Sequence, residues 1–116
     1  MLDAESMWWQ RIKLQEAVMR PSDSFGGNFE TVSKAVRLQD RQWLDWITAC
    51  NEHGFQHEFI YFDSKRNRYK QPVHQVLMQV FNHSAYHRGQ LVTMLRQSGI
   101  EKVPATDFIA WSRRKR

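Results

Sequence analysis

The middle of the longest uninterrupted helical segment of this chain reads Asn82-His83-Ser84-Ala85-Tyr86-His87-Arg88-Gly89-Gln90. The segment begins after Pro72, which is tolerated at the start of a helix, and ends before Gly99, a typical residue at a helix C-terminus. We therefore predict a helix over residues 73–98, about 39 Å long at the usual rise of about 1.5 Å per residue.

Two histidines of this helix, His83 and His87, are four residues apart. Four residues turn a helix by about 40° beyond one full turn, so both side chains project from one face. The same face carries a predicted apolar stripe, whose members are Val76, Val80, His83, His87, Leu91 and Met94. The spacing therefore predicts that both imidazoles point into the core.

Two imidazoles in an apolar seam are costly unless a shared partner satisfies both. A divalent metal ion is such a partner, and the interior of a helical bundle is a known place for metal sites. The alternative is that two neutral histidines form hydrogen bonds with groups on neighbouring helices. Both interpretations stay open, and we predict His83 and His87 as the metal ligands, while the catalytic residues stay unknown.

A metal site needs a third ligand. The remaining candidates are His53, His57, His74, Asp3 and Glu5. His74 is excluded because its offset from His83 places it about 180° around the helix. Nothing in the sequence brings His53 or His57 inward. The two acids, Asp3 and Glu5, are expected to lie on the surface of a first helical turn, where they stabilise the helix dipole. Three further residues of this helix are expected either on its surface or in contact with the metal ligands, namely Tyr86, Arg88 and Gln90. For Tyr86 and Gln90 the favoured role is packing or contacts along the helix.

The rest of the chain predicts two further long helices and one excursion. Residues 1–20 contain neither Gly nor Pro and form the first helix, and a loop rich in turn residues follows at 21–28. A second helix covers about 30–53 with apolar residues on one side. Residues 55–71 lose the helical period and predict a small hairpin or an extended excursion. Thr106 is the expected N-cap of a last short helical turn.

Composition limits the class of protein. The 116 residues, 41% of them hydrophobic, suffice for a single domain over 1–116. The longest apolar runs hold four residues, far from the about 20 of a membrane-spanning helix. A single cysteine, Cys50, excludes an intrachain disulfide and favours the cytoplasm.

The net charge of +5 comes largely from four basic residues at 113–116. A second basic cluster consists of Lys65, Arg66, Arg68 and Lys70. Clustered cations keep nucleic acid as a possible partner, but solvated basic ends and turns are the commoner case. Nucleic acid is therefore the less favoured partner, and a membrane is excluded.

Residues 82–90 resemble the signature on the last bundle helix of the DinB/YfiT-like metal-dependent proteins. Residues 76–81 precede it as in that family, and residues 95–99 with Pro104, Thr106 and Asp107 resemble the family's ending. Residues 1–8, in which acids precede a tryptophan, resemble its second bundle helix. The resemblance implies an all-α, up-and-down helical bundle, here with three main helices at about 1–20, 30–53 and 73–98.

The resemblance also implies a divalent metal ion, commonly zinc or nickel, held by three histidines, of which two match His83 and His87. Family members include transferases and isomerases that use a low-molecular-weight thiol. The implied activity is therefore a metal-dependent thiol S-transferase or a hydrolase-like enzyme, with a small-molecule thiol as partner. The family's first bundle helix and first metal histidine should precede Met1, so we expect a truncated domain with an incomplete site, and whether the chain is an enzyme stays open.

A bundle without one helix leaves an apolar groove, here lined in part by tryptophans at 8, 9, 43 and 46. We expect a second copy of the chain to cover it, giving a homodimer. The tryptophans themselves are expected to pack in the core rather than to stack on a ligand. The alternative to the metal-dependent protein is a non-catalytic helical binding or assembly module, in which the histidines are structural.

Overall fold

The computed structural model describes residues 1–15, 17–24 and 28–114. Its elements are, in chain order, α1 (Leu2–Ile12), a short 3₁₀ helix (Pro21–Asp23), α2 (Phe29–Ala49), α3 (Glu52–Gln56), β1 (Glu58–Phe62), β2 (Arg68–Pro72), α4 (Val73–Gln97) and α5 (Phe108–Arg114). The three longest helices correspond to the three that the sequence predicts. The mainly α-helical fold class is confirmed.

The first helix is shorter than predicted, because α1 ends at Ile12 and the chain reverses at Leu14. Leu14 has a left-handed backbone with φ of +56°. The amide of Gln15 donates to the carbonyl of Gln10, and that of Leu14 to the carbonyl of Arg11, both at 3.0 Å. This pair of bonds is a Schellman motif, which normally uses glycine at the left-handed position. The prediction of a helix through residue 20 is wrong because leucine gives no stop signal; residue 16 lies outside the described residues, as do 25–27 of the predicted loop.

The second helix begins as predicted and ends early. Asn28 caps α2, its side-chain oxygen accepting from the amide of Glu30 at 2.8 Å. Cys50 adopts an extended backbone and ends the helix. Asn51 then caps the separate helix α3 by accepting from the amide of Gly54 at 2.9 Å. The predicted end at residue 53 is wrong because a second N-cap lies inside the predicted helix.

The excursion is a two-stranded antiparallel hairpin, in which Tyr61 lies opposite Tyr69. Its turn is organised by Asp63, whose carboxylate accepts from the amides of Lys65 at 2.9 Å and Asn67 at 2.8 Å. Arg66 in this turn has a φ of +64°. The hairpin alternative is therefore confirmed, and the extended excursion is wrong.

The last long helix lies within one residue of its prediction. Pro72 is the final residue of β2, so α4 begins at Val73. Gly99 follows its end with a φ of +94°, and the amide of Ile100 donates to the carbonyl of Leu95 at 3.1 Å. The predicted role of Gly99 as the C-terminal cap is confirmed. Because α5 begins at Phe108, its N-cap position is residue 107 rather than Thr106.

The chain is divided into two compact units, Met1–His83 and Ser84–Arg116. The first unit holds the buried apolar core, formed by Trp43, Phe59, Tyr61, Val73, Val76, Leu77 and Val80. Trp9 packs edge-on against Trp43 at 5.3 Å between ring centroids, and Trp46 does the same at 6.1 Å. The tryptophans thus pack in and against the core, as expected. The single domain stays a prediction.

Among residues 1–15, 17–24 and 28–114, none of the helices combines the length and the hydropathy that a membrane crossing needs.

Candidate functional site

Helix α4 carries both predicted ligands, His83 and His87, and both side chains are half-buried. The buried residue of that turn is Ser84. Further along the helix, Leu91 and Met94 of the predicted stripe are about half exposed. The two imidazoles are therefore only half-buried and not enclosed in the core as predicted, because the residues that follow them on this face are exposed.

The imidazole of His87 has a defined orientation. Its Nδ1 atom lies 2.7 Å from Oε1 of Gln90, and Nε2 of Gln90 donates to the hydroxyl of Tyr86 at 3.3 Å. An amide oxygen only accepts, so Nδ1 of His87 carries a proton and donates it. In the neutral ring the lone pair then resides on Nε2. Metal-binding histidines are commonly oriented through the second ring nitrogen in this way.

Gln90 thus orients the imidazole of His87 through a hydrogen bond. The sequence prediction favoured a packing role for Gln90, because its side chain projects in a different direction from the predicted ligands. The signal in the sequence is a glutamine three residues after the histidine. That spacing lets two side chains meet on a helix surface. The ring of Tyr86 also meets that of His87 edge-on at 5.5 Å between centroids.

The other candidate ligands have different roles. Nδ1 of His74 lies 3.2 Å from the carbonyl oxygen of Phe55. Asp3 accepts from the amide of Ser22 at 2.9 Å and from its hydroxyl. Partial burial acts to raise the pKa of Asp3, but the hydrogen bonds from Ser22 and the positive charges of the N-terminus and Arg20 together outweigh it, so the pKa lies below its ordinary value.

Glu5 is not the surface acid that the sequence predicts, since only 7% of it is exposed. Trp43 on α2 packs against this turn of α1 and donates from Nε1 to the backbone carbonyl of Glu5 at 3.1 Å. The expectation is wrong because this side of the first turn faces α2.

No three His, Cys, Asp or Glu side chains in the described part of the chain lie close enough together to hold a metal ion. The assignment of His83 and His87 as metal ligands stays a prediction that rests on two imidazoles. The third ligand remains unassigned.

The first unit contains a cavity of about 800 Å³ between α1, the segment before the 3₁₀ helix and the hairpin turn. Arginines from three parts of the sequence line it, namely Arg11, Arg20 and Arg66. Sequence reasoning missed this cavity, because only the packing of the hairpin near α1 brings these residues together. Of the predicted basic cluster, Arg66 lines the cavity and Lys70 pairs with Glu58 at 3.5 Å.

The predicted basic tail is described only in part. Arg113 and Arg114 form the last turn of α5, and Lys115 and Arg116 lie outside the described residues. Nucleic acid stays a less favoured prediction.

The comparison with known proteins agrees with the helical fold of the chain. The model of the DinB family matches residues 1–115, nearly the whole chain. No curated protein and no solved structure is similar enough to this chain to count as a match. The chain therefore belongs to the DinB family.

Proposed function

We propose that this chain binds a divalent metal ion, zinc or nickel, through His83 and His87. The observation that carries the proposal is the hydrogen bond from Nδ1 of His87 to Gln90, which places the lone pair of the neutral imidazole on Nε2. The half-burial of both rings and their four-residue spacing on α4 support it. Imidazole nitrogen suits zinc and nickel better than it suits magnesium or calcium.

A metal ion bound here would polarise a coordinated thiol or water and favour its deprotonated form. The chain's own contribution is to orient the ligand: Gln90 accepts from His87 and donates to Tyr86, so the imidazole is held through a short chain of hydrogen bonds. We propose a thiol S-transferase or hydrolase-like reaction as the activity to be sought once metal binding is established. A small-molecule thiol is the proposed partner.

Metal binding is tested by adding zinc or nickel to the purified 116-residue chain, removing excess by desalting and measuring bound metal by elemental analysis. We expect about one ion per chain in the wild type. The double variant His83→Ala/His87→Ala is expected to lose it. His57→Ala is the matched control because it removes an exposed imidazole outside α4 and leaves bound metal unchanged.

Bound metal that persists in the double variant contradicts the proposal, as does its absence from a folded wild type. Far-UV circular dichroism of every variant separates loss of the ligands from loss of the fold. A thiol-transfer assay on the metal-loaded wild type then tests the activity separately.

A second candidate is a non-catalytic assembly module in which two copies associate. It is supported by large apolar side chains that are exposed within the unit Ser84–Arg116, among them Leu91, Met94, Phe108, Ile109 and Trp111. Large exposed apolar side chains that form a contiguous patch commonly mark an interface. We therefore propose a homodimer formed through this unit.

Sedimentation equilibrium at micromolar concentration tests the dimer. The double variant Leu91→Ser/Met94→Ser is expected to shift the chain toward monomer, whereas Leu38→Ser, on the exposed face of α2, is expected to leave it dimeric. A well-folded wild-type monomer at this concentration contradicts the proposal.

A further inference from the structure

The guanidinium of Arg11 is partly removed from water, and no carboxylate of the described residues forms an ion pair with it. Its Nε atom is buried and donates no hydrogen bond within the described residues. The group lies over the ring of Trp8, with Cζ 4.6 Å from the centroid. Burial lowers the pKa of Arg11 more than the nearby Tyr61 and Asp63 raise it, and the guanidinium remains charged at neutral pH. A partly desolvated guanidinium without an ion-pair partner is costly, so an oxyanion in the cavity that Arg11 lines would stabilise it.

The acids that share the cavity are already engaged. Asp23 pairs with Arg20 at 3.1 Å, and Asp63 accepts from the amides of the hairpin turn. No carboxylate of the described chain lies within salt-bridge distance of Arg11 or Arg66. Among the described residues, the lining carries three arginines and two aspartates, an excess of one positive charge.

A second cavity of about 370 Å³ adjoins the first and shares Arg11, Val18 and Phe62 with it. Its further apolar lining includes Leu14 and Ile60, which are both exposed. Arg11 therefore stands where a charged cavity meets an apolar one. The two cavities together have the polarity of a charged head group followed by a hydrocarbon chain.

We propose that this pair of cavities binds an aliphatic monocarboxylate. The carboxylate accepts hydrogen bonds from Arg11 and Arg66, and its single negative charge matches the excess positive charge of the lining. The hydrocarbon chain lies against Val18, Ile60 and Phe62. This site shares no residue with the proposed metal site, so the two proposals are independent and are tested separately.

Isothermal titration calorimetry of the full chain with octanoate tests the site. Octanoate is expected to bind saturably, 1-octanol about tenfold more weakly because it lacks the charge, and acetate not at all because it lacks the chain. Arg11→Gln is expected to weaken octanoate binding by about tenfold or more. Arg37→Gln removes an exposed arginine of α2 outside both cavities and leaves the affinity unchanged.

Arg66→Asn provides a second variant, since asparagine tolerates the left-handed backbone of the turn and leaves the packing of α1 intact. It is expected to weaken octanoate binding in the same direction as Arg11→Gln. Equal affinities for octanoate and 1-octanol overturn the proposal. So does a folded Arg66→Asn variant that binds octanoate as tightly as the wild type.

Discussion

Oε1 of Gln90 lies 2.7 Å from Nδ1 of His87, one helical turn away on α4. Because both residues belong to one helix, the turn of α4 itself brings the two side chains within reach of each other. It fixes which nitrogen of the imidazole carries the proton. The metal chemistry proposed for His87 therefore depends on a residue that does not itself bind the ion.

Gln90→Ala is expected to weaken zinc binding by about 10- to 100-fold, the usual effect of losing a partner that orients a metal-binding histidine. The measurement is competition with a chromophoric chelator. Gln79→Ala is the matched control because it removes an exposed glutamine from the same helix. Equal affinities in the two variants would show that the bond between Gln90 and His87 plays no part in metal binding.

Leu14→Gly is expected to raise the free energy of unfolding by about 0.5–1 kcal/mol. A left-handed backbone costs a leucine about 1–2 kcal/mol, and the greater freedom of glycine in the unfolded chain cancels only part of the gain from relieving that strain. Leu38→Gly, at an exposed position within α2, is expected to lower the free energy of unfolding by about 1 kcal/mol. Urea denaturation measures both changes, and a destabilised Leu14→Gly variant would contradict the strain at this position.

Local signals account for the parts of the fold that the sequence predicts well. Gly99 adopts the positive φ that its residue type favours, so the end of α4 was predictable. Leu14 adopts the same kind of backbone against its residue type, so the end of α1 was not. The separate helix α3 was missed because Asn51 serves as an N-cap within a stretch that otherwise continues the helical pattern.

The two candidate sites also differ in whether a local sequence signal reveals them. The pair His83 and His87 is recognisable from a four-residue spacing, and the support from Gln90 follows from a three-residue spacing on the same helix. The cavity beside Arg11 has no such signal in the sequence. Arg66 is far from Arg11 in sequence, and only the hairpin places it at the same cavity.

Trp43→Phe is expected to lower the free energy of unfolding by about 1–3 kcal/mol, because the variant loses the indole donor and leaves a small void in a buried site. Trp43 is 5% exposed and donates to the carbonyl of Glu5 at 3.1 Å. Trp46→Phe, at a half-buried position on the same helix, is the matched control and is expected to cost less than about 1 kcal/mol. Thermal unfolding compares the two, and equal losses would contradict the role assigned to the indole nitrogen.

Asp3→Asn is expected to reduce the dependence of stability on acid pH. Partial burial opposes ionisation of Asp3, but the hydrogen bonds from Ser22, with the positive charges of the N-terminus and Arg20, outweigh it and hold the pKa of the folded state below the ordinary value. A carboxyl group with a lowered pKa stabilises the fold fully above the ordinary Asp pKa of about 3.9, and this contribution disappears as pH falls through the lower pKa of the folded state.

The contribution of Asp3 is expected to be about 0.5 kcal/mol at neutral pH, because solvent screens a group that is so close to the surface. Urea denaturation at pH 7 and at several points below pH about 4 measures it. The asparagine variant should be less stable than the wild type at pH 7 and should approach it as pH falls. Asp40→Asn, at an exposed position of α2, is the matched control for removing one negative charge. If the difference between wild type and Asp3→Asn were the same at every pH, the ionised carboxylate of Asp3 would not be the group that Ser22 stabilises.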